Sequence, residues 1–305
     1  MTRVWPWLRL LGAVGILVAL AVRLGADAFV AGLRSVTGWS VAAALGIGLL
    51  TTAASAWRWC VIARRLGLPL TLGAAVSDYY RGLLLNAVLP AGVLGDVHRA
   101  VSHGRQAGDL GRGVRAVVFE RAAGQVVLVA AVLLTQPVPL DVPGSPVLLV
   151  ALALPVACLS PRVRRVLRTT WADARAGLLH HRVLPRVVLL SVVALAGHVA
   201  LFLVAARAAG VTAPTARLVP LLLLALLVMA VPLNVGGFGP REAFLAVAFG
   251  AAGLGAAQGL TTGVVYGVLA LISSLPGVLA LRPQHRQVRP ERLDQRRDHV
   301  PALVG

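Results

Sequence analysis

The chain contains no lysine, so all 29 of its basic residues are arginine. Acidic residues are scarcer still, 11 in 305. Charged residues make up 13% of the chain, against about 25% in a soluble domain. That shortfall, with 58% hydrophobic residues and a mean hydropathy of +0.84, excludes an ordinary water-soluble globule. The two cysteines, Cys60 and Cys158, end apolar segments and have no metal-ligand spacing, so they read as small buried hydrophobes. Also missing are a Ser–His–Asp order, a Cys–His pair, an HExxH helix motif and a phosphate-cradling GxxxxGK[ST] loop. The expectation is a protein that is not an enzyme and needs neither metal nor cofactor.

Long apolar runs are present in number. A spanning helix needs about 20 mostly apolar residues to cross ~30 Å of hydrocarbon. Six runs meet or approach this length: Leu8–Leu24, Trp39–Trp57, Val114–Thr135, Val147–Leu159, Val187–Ala206 and Ala256–Leu281. The first follows Arg3 and Arg9 and is read as a retained membrane helix, because Arg23 stands where a clean signal-cleavage site would be. Two further runs, Leu72–Pro90 and Leu218–Asn234, are broken near their ends by Pro and Gly.

The net charge of +18 raises nucleic acid as a partner, but the arginines fall between the apolar runs, which the positive-inside rule explains better. With a cytoplasmic N-terminus, 22 of the 29 arginines fall on the cytoplasmic side, Arg58 and Arg99 among them, and five on the other. Arg81 and Arg121 are left at membrane depth. Both termini are therefore expected inside, in the inner (cytoplasmic) membrane, with nucleic acid excluded as a partner. The even number of crossings makes the two broken runs re-entrant hairpins. Irregular backbone at membrane depth is tolerated only inside protein or along a cavity.

The fold expected is thus an all-α integral membrane protein. It has about six full transmembrane helices plus two re-entrant broken-helix hairpins in an inverted pseudo-repeat. Residues 1–281 form the membrane domain, and 282–305 a basic, disordered cytoplasmic tail. The loop Ser160–Arg186 reads either as an ordinary positive-inside loop or as an amphipathic helix on anionic headgroups.

The repeat rests on two motifs. The first runs Asn86, Leu89-Pro90, Gly95-Asp96, His98-Arg99; the second runs Pro232, Asn234, Gly236-Gly237-Phe238-Gly239-Pro240-Arg241-Glu242. Each follows an apolar run, turns at Pro, passes through Gly and ends on acid and arginine. Corresponding Gly/Pro-interrupted segments of opposite orientation mark an inverted-repeat transporter with substrate between the repeats.

Pro240 suits the first position of a helix. Its free N–H groups and Arg241 would make an anion site suited to phosphate, unless Arg241 and Glu242 merely pair with each other. Asp96 is a candidate N-cap for the helix carrying His98 and Arg99, with Arg99 either structural or on a lipid phosphate. Glu120–Arg121 interrupts an apolar helix and needs partners, for which Arg81 and Asp96 are the candidates, in a structural network or in transport. Trp57, Trp59, Tyr79 and Tyr80 read as interfacial aromatics, and His198 as a structural histidine.

The first motif, continued by Glu120-Arg121 and Gly124, and the second, with Leu275-Pro276-Gly277 after it, resemble the signatures of the lysylphosphatidylglycerol synthase transmembrane region, a flippase-like family. Leu94 stands where that family has a glycine, and Pro240 where it has a small residue. The resemblance covers about Leu8 to Leu281. With 24 residues after Leu281, a stand-alone member without the aminoacyl-transferase domain is expected.

The resemblance implies translocation of a polar lipid between leaflets, with membrane lipids as partners and a separately encoded lipid-modifying enzyme as a further one. Substrate-binding candidates are Asn86, Pro90, Gly95, Asp96, Arg99, Glu120, Arg121, Pro232, Gly236, Gly237, Gly239, Arg241 and Glu242. Transport would run downhill or be coupled to the membrane potential. The alternatives are a membrane partner of an enzyme such as a polyprenyl-phosphate glycosyltransferase, and a scaffold that transports nothing.

Overall fold

The computed structural model describes residues 26–88, 93–135, 181–229 and 239–280. These residues are helical, with no strand among them: α1 Ala26–Arg34, α2 Gly38–Arg65, α3 Leu72–Val88, α4 Leu94–Gln106, α5 Leu110–Thr135, α6 Leu184–Ala208, α7 Thr215–Met229, α8 Pro240–Ala251, α9 Ala256–Ser274 and the short α10 Gly277–Ala280. Four segments among them are long and apolar enough to cross a membrane: α2, α5, α6 and the stretch Ala256–Ala280. The protein is an α-helical, multi-pass membrane protein. The expected spans Leu8–Leu24 and Val147–Leu159, most of the loop 160–186 and the tail 282–305 lie outside the described residues.

Local chemistry accounts for the element ends. Thr37 and Ser40 exchange side-chain and backbone hydrogen bonds in a capping box that starts α2. Gly67 at φ +77°, Gly108 at +74° and Gly210 at +80° follow α2, α4 and α6, left-handed positions that glycine takes without a Cβ penalty. The apolar run expected to stop at Trp57 continues as helix to Arg65, so Arg58 and Trp59 belong to a spanning helix and not to a loop.

Helices α2 and α6 lie antiparallel. Ser40 lines the same pocket as Arg207, a Cβ on Gly197 would sit 2.2 Å from Thr51 Cγ2, and Arg58 Nη1 donates to Ser191 Oγ at 2.9 Å. Small residues let helices approach this closely where no hydrophobic force drives them together. Together α2 and α6 define two ends of the molecule, one at Arg65 and Leu184, the other at Gly38 and Ala208.

Each remaining helix pair starts and finishes at one end. The pair α3–α4 leaves from the Arg65 end and returns there, since Arg112 at the start of α5 lies 3.5 Å from the Cβ position of Gly67 after α2. The pair α7–α8 leaves from the Ala208 end and returns there, with Arg217 Nη2 donating to the Ala252 carbonyl at 2.9 Å. The two hairpins therefore enter from opposite ends. Each has its own core: Trp59, Ile62, Leu68, Tyr79 and Phe119 around α3–α4, and Phe202, Leu218, Leu222, Leu245, Phe249 and Leu269 around α7–α8.

Candidate functional site

Glu120 is the centre of the first charged network. It lies mid-helix in α5, with no accessible surface, and accepts hydrogen bonds from three other helices. Arg58 of α2 reaches Oε1 through Nε at 3.1 Å and through its Nη2. Tyr79 of α3 donates its hydroxyl to Oε1 at 3.2 Å, and Arg99 of α4 donates Nη2 to Oε2 at 3.0 Å. One carboxylate thus joins α2, α3, α4 and α5. Charge at membrane depth persists only when paired and hydrogen-bonded in this way.

Asp96 carries the network outward. Its Oδ1 accepts from Arg99 Nη2 at 3.0 Å and from Arg121 Nη2 at 2.7 Å. The guanidinium of Arg99 also lies over two rings, 4.2 Å from the Tyr79 centroid and 4.6 Å from that of Trp59. These cation–π contacts strengthen as water is removed. Three buried donor atoms here find no acceptor among the described residues: Arg99 Nη1, Arg121 Nε and the indole Nε1 of Trp59.

Glycine sets the backbone under this network. Gly82 of α3 and Gly95 of α4 touch main chain to main chain, so that a Cβ on Gly95 would lie 2.0 Å from the Gly82 carbonyl oxygen. Asn86 Oδ1 accepts from the Gly95 N–H at 2.7 Å, a bond that ties the arms of the hairpin beside its tip.

The second motif is built differently. Pro240 opens α8, as its ring favours, and Gly239 before it takes φ +128°, a conformation open to glycine alone. Glu242 Oε2 accepts the Gly239 N–H at 2.7 Å, and Glu242 Oε1 accepts from Arg241 Nε at 3.0 Å and from its Nη2. Arg241 is 3% exposed and Glu242 0%. Arg241 stands 5.0 Å from the Tyr266 ring, which stacks on Phe202. The carboxylate of Glu242 therefore occupies the helix N-terminus where the sequence reading places a phosphate.

Several expectations change. Asp96 is not the N-cap of α4; that position is Val93, and Asp96 sits in the first turn, where a carboxylate still meets the positive end of the helix. Arg81 does not pair with Glu120 but with Asp78 at 3.4 Å and with the Ala280 carbonyl. Tyr79, Tyr80 and Trp59 are buried inside the protein, while Trp57 is 54% exposed. Arg58 and Arg99, counted as cytoplasmic from the sequence, are 5% and 2% exposed within the protein. Arg58 is the residue that sequence reasoning missed. Its signal was the unbroken helical pattern running past it.

Of the residues singled out, Asn86, Gly95, Asp96, Arg99, Glu120 and Arg121 come together in one network. Gly239, Arg241 and Glu242 form the other. Pro90, Pro232, Gly236 and Gly237 lie outside the described residues.

The profile of the family described as "Lysylphosphatidylglycerol synthase TM region" matches residues 7–277. No curated protein and no solved structure matches the chain.

Proposed function

Because the chain belongs to the lysylphosphatidylglycerol synthase TM region family, we propose that it is a lipid translocase that moves a polar, phosphate-bearing lipid between leaflets. The observation that carries this reading is the Glu120 network. Among the described residues three guanidiniums, those of Arg58, Arg99 and Arg121, meet two carboxylates, Glu120 and Asp96, where α4 packs against the spanning helices α2 and α5. A scaffold gains nothing from an uncompensated cation there, whereas a site for an anionic headgroup needs one. The two hairpins entering from opposite ends support the inverted-repeat arrangement, in which both re-enter the membrane and substrate passes between them.

Orientation follows from charge. Arg64, Arg65, Arg105, Arg112, Arg115, Arg182 and Arg186 gather at the end where α2 finishes, against Arg34, Arg207 and Arg217 at the other. The positive-inside rule makes the first end cytoplasmic, in the inner membrane.

Reconstitution into proteoliposomes with a fluorescent anionic phospholipid tests the function. Wild-type protein should expose the inner-leaflet probe to an external quencher. Arg99→Gln, which keeps a polar side chain but loses the charge, should abolish this while the protein still inserts. Equal probe exchange in protein-free vesicles, or full exchange by Arg99→Gln, overturns the reading.

A further inference from the structure

His198 stands in the wrong place for its exposure. It lies on the buried stripe of α6, where Ser191, Ala194, Leu201, Phe202 and Ala205, spaced at three, four and seven residues from it, are all buried. Yet His198 itself is exposed. Accessible surface in the middle of the inward stripe of an amphipathic helix means that the packing against that stripe is open there. It is also within electrostatic reach of Arg121 and Arg58.

The facing helix gives the same picture. Arg121 is the one arginine of the Glu120 network that stays open, its side chain 43% exposed where those of Arg58 and Arg99 are 5% and 1%. One turn further along α5, Gln125 is exposed as well. Between them Gly124 has no side chain, and the Arg58 guanidinium fills that space, 3.3 Å from the absent Cβ. Arginine, glutamine and histidine within spanning helices are costly against hydrocarbon and are found facing the protein interior or a water-filled cavity. They face water or a polar ligand.

The surplus positive charge and this opening coincide. The described ion pairs elsewhere at depth are balanced: Arg81 with Asp78, Arg241 with Glu242. Among the described residues the Glu120 network holds one guanidinium more than it has carboxylates, and Arg121, paired with Asp96, is its open member. We propose that the cavity between α5 and α6, lined by Arg121, Gln125 and His198, is a binding site for one phosphate group of net charge −1. Arg121 supplies the fork for two phosphate oxygens, and Gln125 and His198 supply further donors. The inference rests on the lipid-translocase reading for its physiological ligand but names its own site, on the open side of the Glu120 network. The same chemistry is offered by the phosphodiester of an anionic lipid and by free inorganic phosphate.

The test uses the full chain with Cys60 and Cys158 replaced by Ala, reconstituted in phosphatidylcholine vesicles. His198→Cys and, independently, Gln125→Cys are labelled with a membrane-impermeant thiol reagent. Val126→Cys, at the neighbouring exposed apolar position of α5, is the control, Val126 being 68% exposed. A thiol reacts as its thiolate, which needs water, so the cavity positions should label at least about tenfold faster than position 126. Adding phosphatidylglycerol to the vesicles should slow labelling at 198 and 125. Slowing by inorganic phosphate instead would support the same site with a free anion as its ligand. Arg121→Gln should remove the protection in either case.

Labelling at 198 and 125 no faster than at 126 overturns the cavity. Fast labelling that neither anion slows overturns the anion site. Protection at 198 in a protein that exchanges no lipid leaves the site standing and removes only the transport reading. Lipid exchange without protection does the reverse.

Discussion

The two motifs look alike in sequence and differ in charge balance. At the α3–α4 hairpin, three arginines share two carboxylates spread over three helices, three donors lack acceptors among the described residues, and one guanidinium is open. At α8, one arginine and its neighbouring glutamate close on each other, with both carboxylate oxygens spent on protein donors. The difference teaches that an acid–arginine signature at a Gly/Pro turn does not by itself mark an anion site. What counts is whether the carboxylates of the same network use up the cations.

The most damaging single change should be Glu120→Gln. It strips Arg58 of its carboxylate and leaves Arg99 with Asp96 alone, which costs about 3–5 kcal/mol for a buried group without its partner. Thermal unfolding in detergent and abundance in membranes both read this. An unaltered melting temperature would show that the first network is not held by Glu120, and the contrast with α8 would fail.

Glu242→Gln should cost less, about 3 kcal/mol, because the amide oxygen can still accept the Gly239 N–H and Tyr266 still covers Arg241. The sharper form is the double replacement Arg241→Leu with Glu242→Leu. A buried ion pair replaced on both sides by apolar residues often costs little, so the double variant should return to within about 1 kcal/mol of wild type. A double variant as unstable as the single would mean that the second motif is also part of a wider network.

The glycines come next. Gly95→Ala drives a methyl into the Gly82 carbonyl and must separate α3 from α4, at about 2–3 kcal/mol. Gly239→Ala is strained by φ alone, at about 1–2 kcal/mol. If Gly239→Ala proved the worse of the two, backbone conformation and not helix contact would be the dominant constraint on glycine in these motifs.

The smallest effect is expected outside both regions. Asp109 and Arg112 form a half-exposed pair at 3.4 Å, and Asp109 Oδ1 accepts the Arg112 N–H at 2.8 Å. Asp109→Asn keeps that acceptor and should shift stability by less than about 0.5 kcal/mol. It sets the scale against which the buried variants are read.

Much of the architecture was legible from local pattern. Helices α5, α6 and α7 fall within a few residues of the runs read from hydropathy, and Pro240 begins its helix as its ring requires. The pairing of Arg121 with Asp96 was among the expected ones. The Arg81–Glu120 pairing was not found, and Arg58 was placed in a loop because a basic residue after an apolar run ordinarily marks the membrane surface. Nor does composition at a run's edge show that Tyr79 and Trp59 pack inside the protein around Arg99.

By itself, then, the sequence determined the membrane as solvent, the helices that could span it, the two points where the chain must turn and the scarcity of charge that makes each ion pair costly. These are properties of single segments, set by hydropathy, backbone sterics and glycine or proline at given positions. Tertiary structure alone decided which charges meet. Arg58 reaches Glu120 across 62 residues and Ser191 across 133, through contacts made possible where Gly82 meets Gly95 and Gly197 meets Thr51. Adjacent residues could already pair in isolation, which is why Arg241 and Glu242 close on each other. The network around Glu120 exists only because four helices pack within hydrogen-bonding distance of one carboxylate.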